Sequence, residues 1–592
     1  MLLLLWLPLF PSALAAQPSA PDPIPAPLRG LEFGQLNFLH TTDTHGWLAG
    51  HLQEPSYAAD WGDYVSFATR IREKVEAQGQ DLLVIDTGDR VEGNGLYDSS
   101  EPKGVYISEI LRHQHIDLLT SGNHELYKQN TSEAEFFTTI PNFRGNYIAS
   151  NIDIFRPGTE ELVPLAPRYK KFTTKQQGIR ITAFGFLFDF TGNNNRTVVQ
   201  LVEETIKEDW FQEAIRDKDV DLFLVIGHVP VKSQEYQAIF KAIRSIRWGI
   251  PIQFFGGHLH IRDYARYDAK AVGVASGRFM ETIGFLSIDG LSTSKPVFKR
   301  RYIDNNLFSL RHHSGLDEYE FPTEQGRNVS RLIAESRSAL HLDEVHGCAP
   351  RDLWMSRVKY PSNDSIYTWL ESQVLVDSLK DESRGETPAL AIINTGAIRF
   401  DIFQGPFTQD TTFIVSPFTS GFRYVKDVPY DKAQLIVEIL NKQPQILRTA
   451  HFSPLTTLAP PEQLAYSNDI VADLTVGASN PLQVPLSGQE PELIPGYTTK
   501  DDAGTDGDDT VHSPISFYRV PNCIQALVAA NASAVPETVD LVYIDFIERH
   551  VALAAKFAGL DVNFTQESEV YMPSMTLTDL ILDWVKTYWK CE

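Results

Sequence analysis

Five short motifs in this sequence combine carboxylate, amide and imidazole side chains that could bind metal ions. They are Asp43-Thr-His45, Gly88-Asp89, Gly122-Asn-His-Glu125, Gly227-His228 and Gly257-His258-Leu-His260. The set offers oxygen and imidazole ligands and no thiolate, which suits two hard or borderline divalent cations. We expect the carboxylate of Asp89 to bridge the two cations.

The apolar pattern around these motifs predicts the elements that position them. Four apolar residues follow Asp81, which is typical of a short buried strand, and Thr87-Gly88 forms the turn that ends it. A strand at 36–42, a helix at 64–75 and this strand form a βαβ unit, which implies a parallel sheet. Further strands are predicted at 181–188, 222–226, 252–255, 272–275 and 283–288, and helices at 199–210, 236–246 and 329–340.

The candidate ligands share one position in this pattern. Each lies at or just past a predicted strand end, usually beside a glycine that lets the backbone approach closely. A single histidine is more often a structural residue than a ligand, but strand ends converge on the crevice where such sheets bind ligands. Seven residues together therefore favour a metal site: Asp43, His45, Asp89, Asn123, His228, His258 and His260.

Length and charge limit the class of protein. A chain of 592 residues exceeds what one hydrophobic core usually supports, so two domains are expected. With 52 Lys and Arg against 76 Asp and Glu, the formal net charge is −24. Such a surface repels nucleic acid, which argues against a nucleic-acid binder. A phosphate site would need local positive charge, and metal ions would supply it.

The first residues indicate export. The apolar stretch 2–10 is too short to span a bilayer, and Ala13-Leu-Ala15 fits a signal-peptidase site. We expect a signal peptide at 1–15, a Pro- and Ala-rich leader at 16–33 and no transmembrane anchor. The expected location is the secretory pathway, either outside the cell or in the vacuolar lumen. Six glycosylation sequons agree with export: Asn130, Asn195, Asn328, Asn363, Asn531 and Asn563.

The second half has its own mixed pattern. A helix at 366–375, a buried strand at 390–393, a helix at 433–440 and an acidic loop at 501–509 are predicted. We place one domain at 34–310, a linker and connecting helix at 311–345, and the second domain at 346–592. Of three cysteines, Cys348 and Cys523 lie in one domain of a chain expected to be exported, and we expect them to form a disulfide bond. Cys591 would then be free or pair outside the chain.

With these motifs assembled, the chain resembles the 5′-nucleotidase and 2′,3′-cyclic phosphodiesterase family. The five motifs look like those of calcineurin-like metallophosphoesterases, which implies an α/β fold with an αββα sandwich. The resemblance implies one metal held by Asp43, His45, Asp89 and His260, and another held by Asp89, Asn123, His228 and His258. It further implies in-line attack by a metal-bridging hydroxide, with His124 near the leaving oxygen as the catalytic residue. The metals could be Zn, Mn, Fe or Mg.

The second half resembles the 5′-nucleotidase C-terminal domain, also an α/β fold. Its matching motifs are Asn394-Thr-Gly-Ala-Ile-Arg399, Gly405-Pro-Phe407 and Pro417-Phe418. Asn394, Arg399 and Phe418 are thereby expected to bind substrate, with Phe418 stacking on a base. A structural ion pair for Arg399 and a core position for Phe418 are the alternatives.

Three positions depart from the family pattern. Tyr127 stands where an Asp usually orients the catalytic histidine; either Glu125 replaces it or His124 is oriented otherwise. Asp502 stands near the second stacking position, with Tyr497 nearby. Ser362 occupies about the place of a phosphate-binding arginine, and Arg357 lies five residues earlier.

The function expected from these features is a secreted phosphoesterase with two divalent metal ions. Its expected substrates are phosphate monoesters, chiefly nucleotides. A phosphatase or phosphodiesterase for another substrate, such as a sugar phosphate, is the first alternative. A catalytically silent binding glycoprotein is the second, although such a protein would be expected to lose ligands, and all seven are present. The oligomeric state stays open.

Overall fold

The structure, a computed structural model, covers most of the chain. It describes residues 29–293, 295–442, 458–465, 491–495, 499–501, 503–504, 507–528 and 535–591. The predicted signal peptide, most of the leader, Tyr497, Asp502 and Asn531 lie outside the described residues. No helix within them is both long enough and apolar enough to cross a membrane.

Two mixed β-sheets form the centre of the first domain. The first has the strand order Val297–Asp304, Thr282–Asp289, Leu36–Thr41, Asp81–Asp86 and Leu118–Leu119. The second has the order Arg262–Asp268, Ala271–Ser276, Ile252–Gly256, Leu222–His228, Arg180–Leu187 and Tyr169–Thr173. Strands Leu36–Thr41 and Asp81–Asp86 are parallel, as the predicted βαβ unit requires.

Alternation along the strands explains the layers of this domain. Leu83 and Ile85 belong to an apolar cluster that joins the two sheets, whereas Leu82 and Val84 face the cluster that contains the helices. The longer helices are Trp61–Glu76, Asp209–Arg216, Gln234–Ile246, Leu307–Ser314 and Glu324–Ala339. Helices therefore cover a two-sheet sandwich, and the predicted αββα architecture is confirmed.

The helix predicted at 199–210 is wrong as a single element. Val199 ends the strand Thr197–Val199, which pairs with Ile152–Phe155. Two short helices follow, Val202–Thr205 and Asp209–Arg216. Each buries apolar residues in the same core, so the helical spacing of the sequence arises from two helices in succession.

The second domain is also α/β, as predicted. Its five-stranded sheet has the order Cys523–Val528, Ala389–Asn394, Thr538–Ile544, Gly421–Pro429 and Glu569–Thr576. The predicted strand at 390–393 lies within Ala389–Asn394, and apolar clusters cover both faces of the sheet. The helices include Ile366–Trp369, Leu375–Ser378, Gln409–Val415, Tyr430–Lys442, Glu548–Phe557 and Leu577–Tyr588.

The predicted disulfide bond is wrong, because Cys348 pairs with Cys591. The strand Val345–Ala349 lies against the C-terminal end, where the Cys348 amide donates to the Trp589 carbonyl at 3.1 Å. This contact brings the two α-carbons to 5.0 Å. Cys523 is instead buried in the central sheet, paired in register with Asn394, and is a free thiol.

Part of the acidic loop packs on the first domain. Arg262, on an edge strand of the second sheet, contacts Asp508 at 3.0 Å and Asp304 at 2.9 Å. His313 contacts Asp509 at 2.9 Å. These charges are buried, so the loop joins the two halves of the chain; the boundaries placed at 310 and 346 remain predictions.

Candidate active site

The predicted ligands come together in loops that follow the central strands of both sheets. His228 is the last residue of Leu222–His228, and Asp43 and Asp89 follow Leu36–Thr41 and Asp81–Asp86. The loop after Leu36–Thr41 and the loop after Asp81–Asp86 are joined directly, since the Asp43 amide donates to the Gly88 carbonyl at 3.0 Å. Parallel pairing of the strands thus brings residues that are distant in sequence to one place.

The first group of potential ligands contains Asp43, His45 and His260, whose ligand atoms lie within 4.8 Å of one another. The Nε2 atoms of His45 and His260 are 3.2 Å apart. Asp43 Oδ1 is 3.5 Å from His260 Nε2. All three residues are buried.

The second group contains Asp89, His228 and His258. Asp89 Oδ2 is 3.0 Å from His228 Nε2 and 3.8 Å from His45 Nε2, so one oxygen faces both groups. Asp89 Oδ1 accepts the backbone N–H of His124 at 2.8 Å. This arrangement supports the predicted bridging role of Asp89.

Buried atoms of the site fit metal ions. Asn123 Oδ1 has no hydrogen-bond partner among the described residues, and His228 Nε2 faces the carboxylates of Asp89 and Asp43 at 3.0 and 3.6 Å. His45 Nδ1 donates to backbone carbonyls of Val91 and Glu92 at 2.9 and 2.7 Å, which leaves the Nε2 lone pair for a cation.

The electrostatics of the site also favour the binding of metal ions. Burial lowers the pKa of His45 to about 3, so the ring is neutral and can ligate at neutral pH. Burial also lowers the pKa of His228, but Asp89 and Asp43 outweigh that effect and raise it to about 9. The two buried carboxylates therefore favour positive charge beside them, which divalent cations would supply.

Several residues of this site share a strained, left-handed backbone conformation. Left-handed φ values between 46° and 77° occur at six non-glycine residues: Asp43, His45, Asp89, Glu92, His258 and His260. Close packing requires glycine nearby, since a Cβ at Gly122 would lie 2.1 Å from Asp89 Oδ1 and one at Gly257 2.2 Å from Thr42 Oγ1. Sequence reasoning did not foresee this strain.

His124 lies beside the metal ligands and is held by Glu92. Its Nδ1 is 2.9 Å from Glu92 Oε2, and its Nε2 is 4.0 Å from Asp89 Oδ2. Glu125, the replacement considered for the orienting Asp, instead accepts backbone N–H groups of Asp89, Arg90 and Gly122 at 2.7–3.0 Å. The Tyr127 hydroxyl accepts from Asn123 Nδ2 at 3.4 Å.

A cavity of about 450 Å³ connects these residues to the second domain. Asn394, Arg399 and Phe418 line it, together with Asp89, Asn123, His124, His258 and His260. The Arg399 guanidinium lies 4.8 Å from the centroid of the Phe418 ring. Asn394 Oδ1 and Arg399 Nη1 are buried without hydrogen-bond partners within the described ranges, which argues against a structural ion pair.

Some cavity residues were not predicted. Lys128, Phe546 and Arg549 line it, and Phe546 keeps 47% of its surface exposed. An aromatic residue two positions past the buried strand Thr538–Ile544 is a sequence signal that could have indicated Phe546. Arg357, considered for the phosphate, lies over the Trp354 ring at 4.4 Å and 3.8 Å from Asp401. Neither Arg357 nor Ser362 lines this cavity.

Two family models match this chain. Residues 36–262 match the model described as calcineurin-like phosphoesterase. Residues 352–552 match the model described as NAD nucleotidase, C-terminal domain.

Similarity to individual proteins extends over both halves of the chain. A protein from Schizosaccharomyces pombe, described as uncharacterized, is 39% identical over 89% of this chain and 86% of its own length. A protein from Arthroderma benhamiae named "Secreted protein" is 37% identical over 90% of this chain and 87% of its own. The crystal structure of 5′-nucleotidase from Candida albicans is similar with 37% identity and a TM-score of 0.83, covering 94% of this chain and 99% of that one.

Proposed function

We propose that this chain hydrolyses nucleoside monophosphates, because it belongs to the family that joins a calcineurin-like metallophosphoesterase domain to a 5′-nucleotidase C-terminal domain. One observation supports nucleotides as the substrate class: the cavity lined by Asp89 and His124 is also lined by Arg399 and Phe418. A group for phosphate and an apolar face for a base thus lie in the same space as the candidate metal ligands.

Two groups of residues would hold the cations. Asp43, His45, Asp89 and His260 would bind one, and the other would be bound by Asp89, Asn123, His228 and His258. Two such cations, when bound, lower the pKa of a water molecule and neutralise charge on the oxygens at phosphorus.

The remaining residues act on the substrate directly. The Arg399 guanidinium can make paired hydrogen bonds to phosphate oxygens, and its Nη1 has no competing partner within the described residues. His124 would donate a proton from Nε2 to the leaving oxygen. Phe418 would stack on the base, which is worth about 1–3 kcal/mol in such contacts.

We further propose that the protein enters the secretory pathway. The Cys348–Cys591 disulfide suits an oxidising compartment. The five sequon asparagines that the structure describes, Asn130, Asn195, Asn328, Asn363 and Asn563, are all exposed. The Arthroderma benhamiae relative is named "Secreted protein".

A substrate screen tests the proposal. Purified protein with measured metal content would be assayed for phosphate release from nucleoside monophosphates, cyclic nucleotides, nucleotide sugars and sugar phosphates. We expect the highest kcat/KM for nucleoside monophosphates. A higher kcat/KM for sugar phosphates would favour the alternative substrate class, and no release at two metals per chain would favour a silent binding protein.

A further inference from the structure

We infer that Glu92 is the positioning residue of His124 and fixes which ring nitrogen faces the cavity. This inference rests on the proposed function, in which His124 Nε2 donates a proton to the leaving oxygen. Glu92 Oε2 is 2.9 Å from His124 Nδ1, and the Glu92 side chain is buried. An ionised carboxylate can only accept a hydrogen bond. His124 Nδ1 is therefore the donor, and His124 Nε2 is turned toward Asp89.

The other carboxylate oxygen has its own partner. Lys128 Nζ donates to Glu92 Oε1 at 2.8 Å, so each oxygen accepts from a different donor. The side chain is thus an anion held between two donors.

The backbone of Glu92 explains how the side chain reaches His124. Its φ is 59°, and the next residue, Gly93, has φ 141°. A Cβ at Gly93 would lie 2.8 Å from the Cβ of His45, so only glycine fits there. The Glu92 carbonyl meanwhile accepts from His45 Nδ1 at 2.7 Å. One residue therefore holds a candidate metal ligand through its backbone and His124 through its side chain.

The two contacts can be separated by substitution. Glu92→Gln keeps the backbone carbonyl and the side-chain volume but leaves one oxygen for two donors. The ammonium group of Lys128 is the stronger donor, so the new amide would face His124 Nδ1 with its NH₂ group. Two N–H groups cannot hydrogen-bond to each other, so the His124 ring would lose the contact that keeps its Nε2 turned toward the cavity.

A neighbouring carboxylate offers a matched control. Asp98 lies in the same region, is 6% exposed, accepts from the Gly93 amide at 2.8 Å and contacts Lys103 at 3.2 Å. It resembles Glu92 in burial and in its lysine partner but has no contact with His124 among the described residues. Asp98→Asn therefore reports the effect of losing a buried charge in this region alone.

The kinetic test uses metal-loaded wild-type, Glu92→Gln, Glu92→Asp, Asp98→Asn and His124→Ala proteins. We expect Glu92→Gln to lower kcat for AMP by about 10- to 100-fold, with KM and two metals per chain retained. The loss should be smaller for 4-nitrophenyl phosphate, whose leaving oxygen needs little protonation. Glu92→Asp should recover part of the rate, and Asp98→Asn should retain the wild-type rate. In the His124→Ala background, Glu92→Gln should cause no further loss.

Several results would overturn the inference. These are loss of metal in Glu92→Gln, an equal loss for both substrates, or an undiminished effect of Glu92→Gln in the His124→Ala background. Crystal structures of wild-type and Glu92→Ala proteins give a test without turnover: the His124 ring should rotate in the variant, and an unmoved ring would contradict positioning. If wild-type protein releases no phosphate from any ester, the proposed function fails, while the structural comparison still decides the role of Glu92.

Discussion

Removing the Arg399 guanidinium should separate substrate binding from stability. A structural arginine in a buried ion pair stabilises the fold, and its removal leaves its partner unpaired at a cost of about 3–5 kcal/mol. Arg399 has no such partner within the described residues, and burial lowers the pKa of its guanidinium. Without substrate, the protein therefore holds a buried positive charge at Arg399. That charge becomes favourable only when an anion binds beside it.

The contacts of Arg399 set the expected changes in stability and in kcat/KM. Arg399→Ala would lose the cation–π contact with Phe418, worth about 0.5–2 kcal/mol, and would relieve the burial of the charge. These effects oppose each other, so we expect stability to change by about 1 kcal/mol or less. With substrate, a charge-assisted hydrogen bond worth about 1.5–3 kcal/mol is lost. This loss should lower kcat/KM for AMP by about 10- to 150-fold.

Thermal unfolding and steady-state kinetics measure the two effects, and Arg262→Ala provides the comparison. Arg262 is 2% exposed and contacts both Asp304 and Asp508, so its removal should cost about 3–5 kcal/mol, at about 2–4 °C of melting temperature per kcal/mol. If Arg399→Ala lowers the melting temperature as much as Arg262→Ala does, or leaves kcat/KM unchanged, Arg399 is structural and the reasoning fails.

Three further predictions concern the metals, the base and export. Asp89→Asn should lose tight binding of both metals and phosphate release while keeping the far-ultraviolet circular dichroism spectrum; near wild-type turnover at matched metal loading would contradict bridging. Phe418→Ala should lower kcat/KM for AMP by about 5- to 150-fold, the equivalent of about 1–3 kcal/mol, while changing that for a sugar phosphate little, and equal losses would count against stacking. Peptide-N-glycosidase treatment of protein from a eukaryotic secretory host should lower its apparent mass, and intact mass spectrometry should find glycans on the exposed sequons; an unmodified chain would contradict export.

The candidate ligands could be predicted because their signals are local. Each follows a strand with a clear apolar run, and parallel strands bring their carboxyl ends together whatever the distance in sequence. Asp43 and His258 are 215 residues apart, yet the His258 amide lies 3.1 Å from Asp43 Oδ2. Apolar periodicity predicts most of the strands and the parallel βαβ unit, whereas the αββα sandwich is implied by the family resemblance.

The features that could not be predicted depend on contacts between distant segments. Cys348 pairs with Cys591 because a short strand lies against the chain end, and no spacing rule relates them. The acidic loop has the composition of a solvated segment, but Asp508 is buried against Arg262. Glu92 escaped notice because a glutamate has no preference for the left-handed conformation that aims it at His124.

This conformation also explains why Glu125 does not orient His124. Left-handed φ values at non-glycine residues cost about 1–3 kcal/mol each, so the ligand loops persist only if other contacts hold them. The Glu125 carboxylate accepts three backbone N–H groups, from Asp89, Arg90 and Gly122, and thereby ties the strained loop after Asp81–Asp86 to the loop after Leu118–Leu119. Both oxygens of Glu125 accept these backbone hydrogen bonds, and the carboxylate does not bind the His124 ring. The orienting carboxylate had to come from another segment, and Glu92 lies where the strained loop itself directs a side chain toward His124.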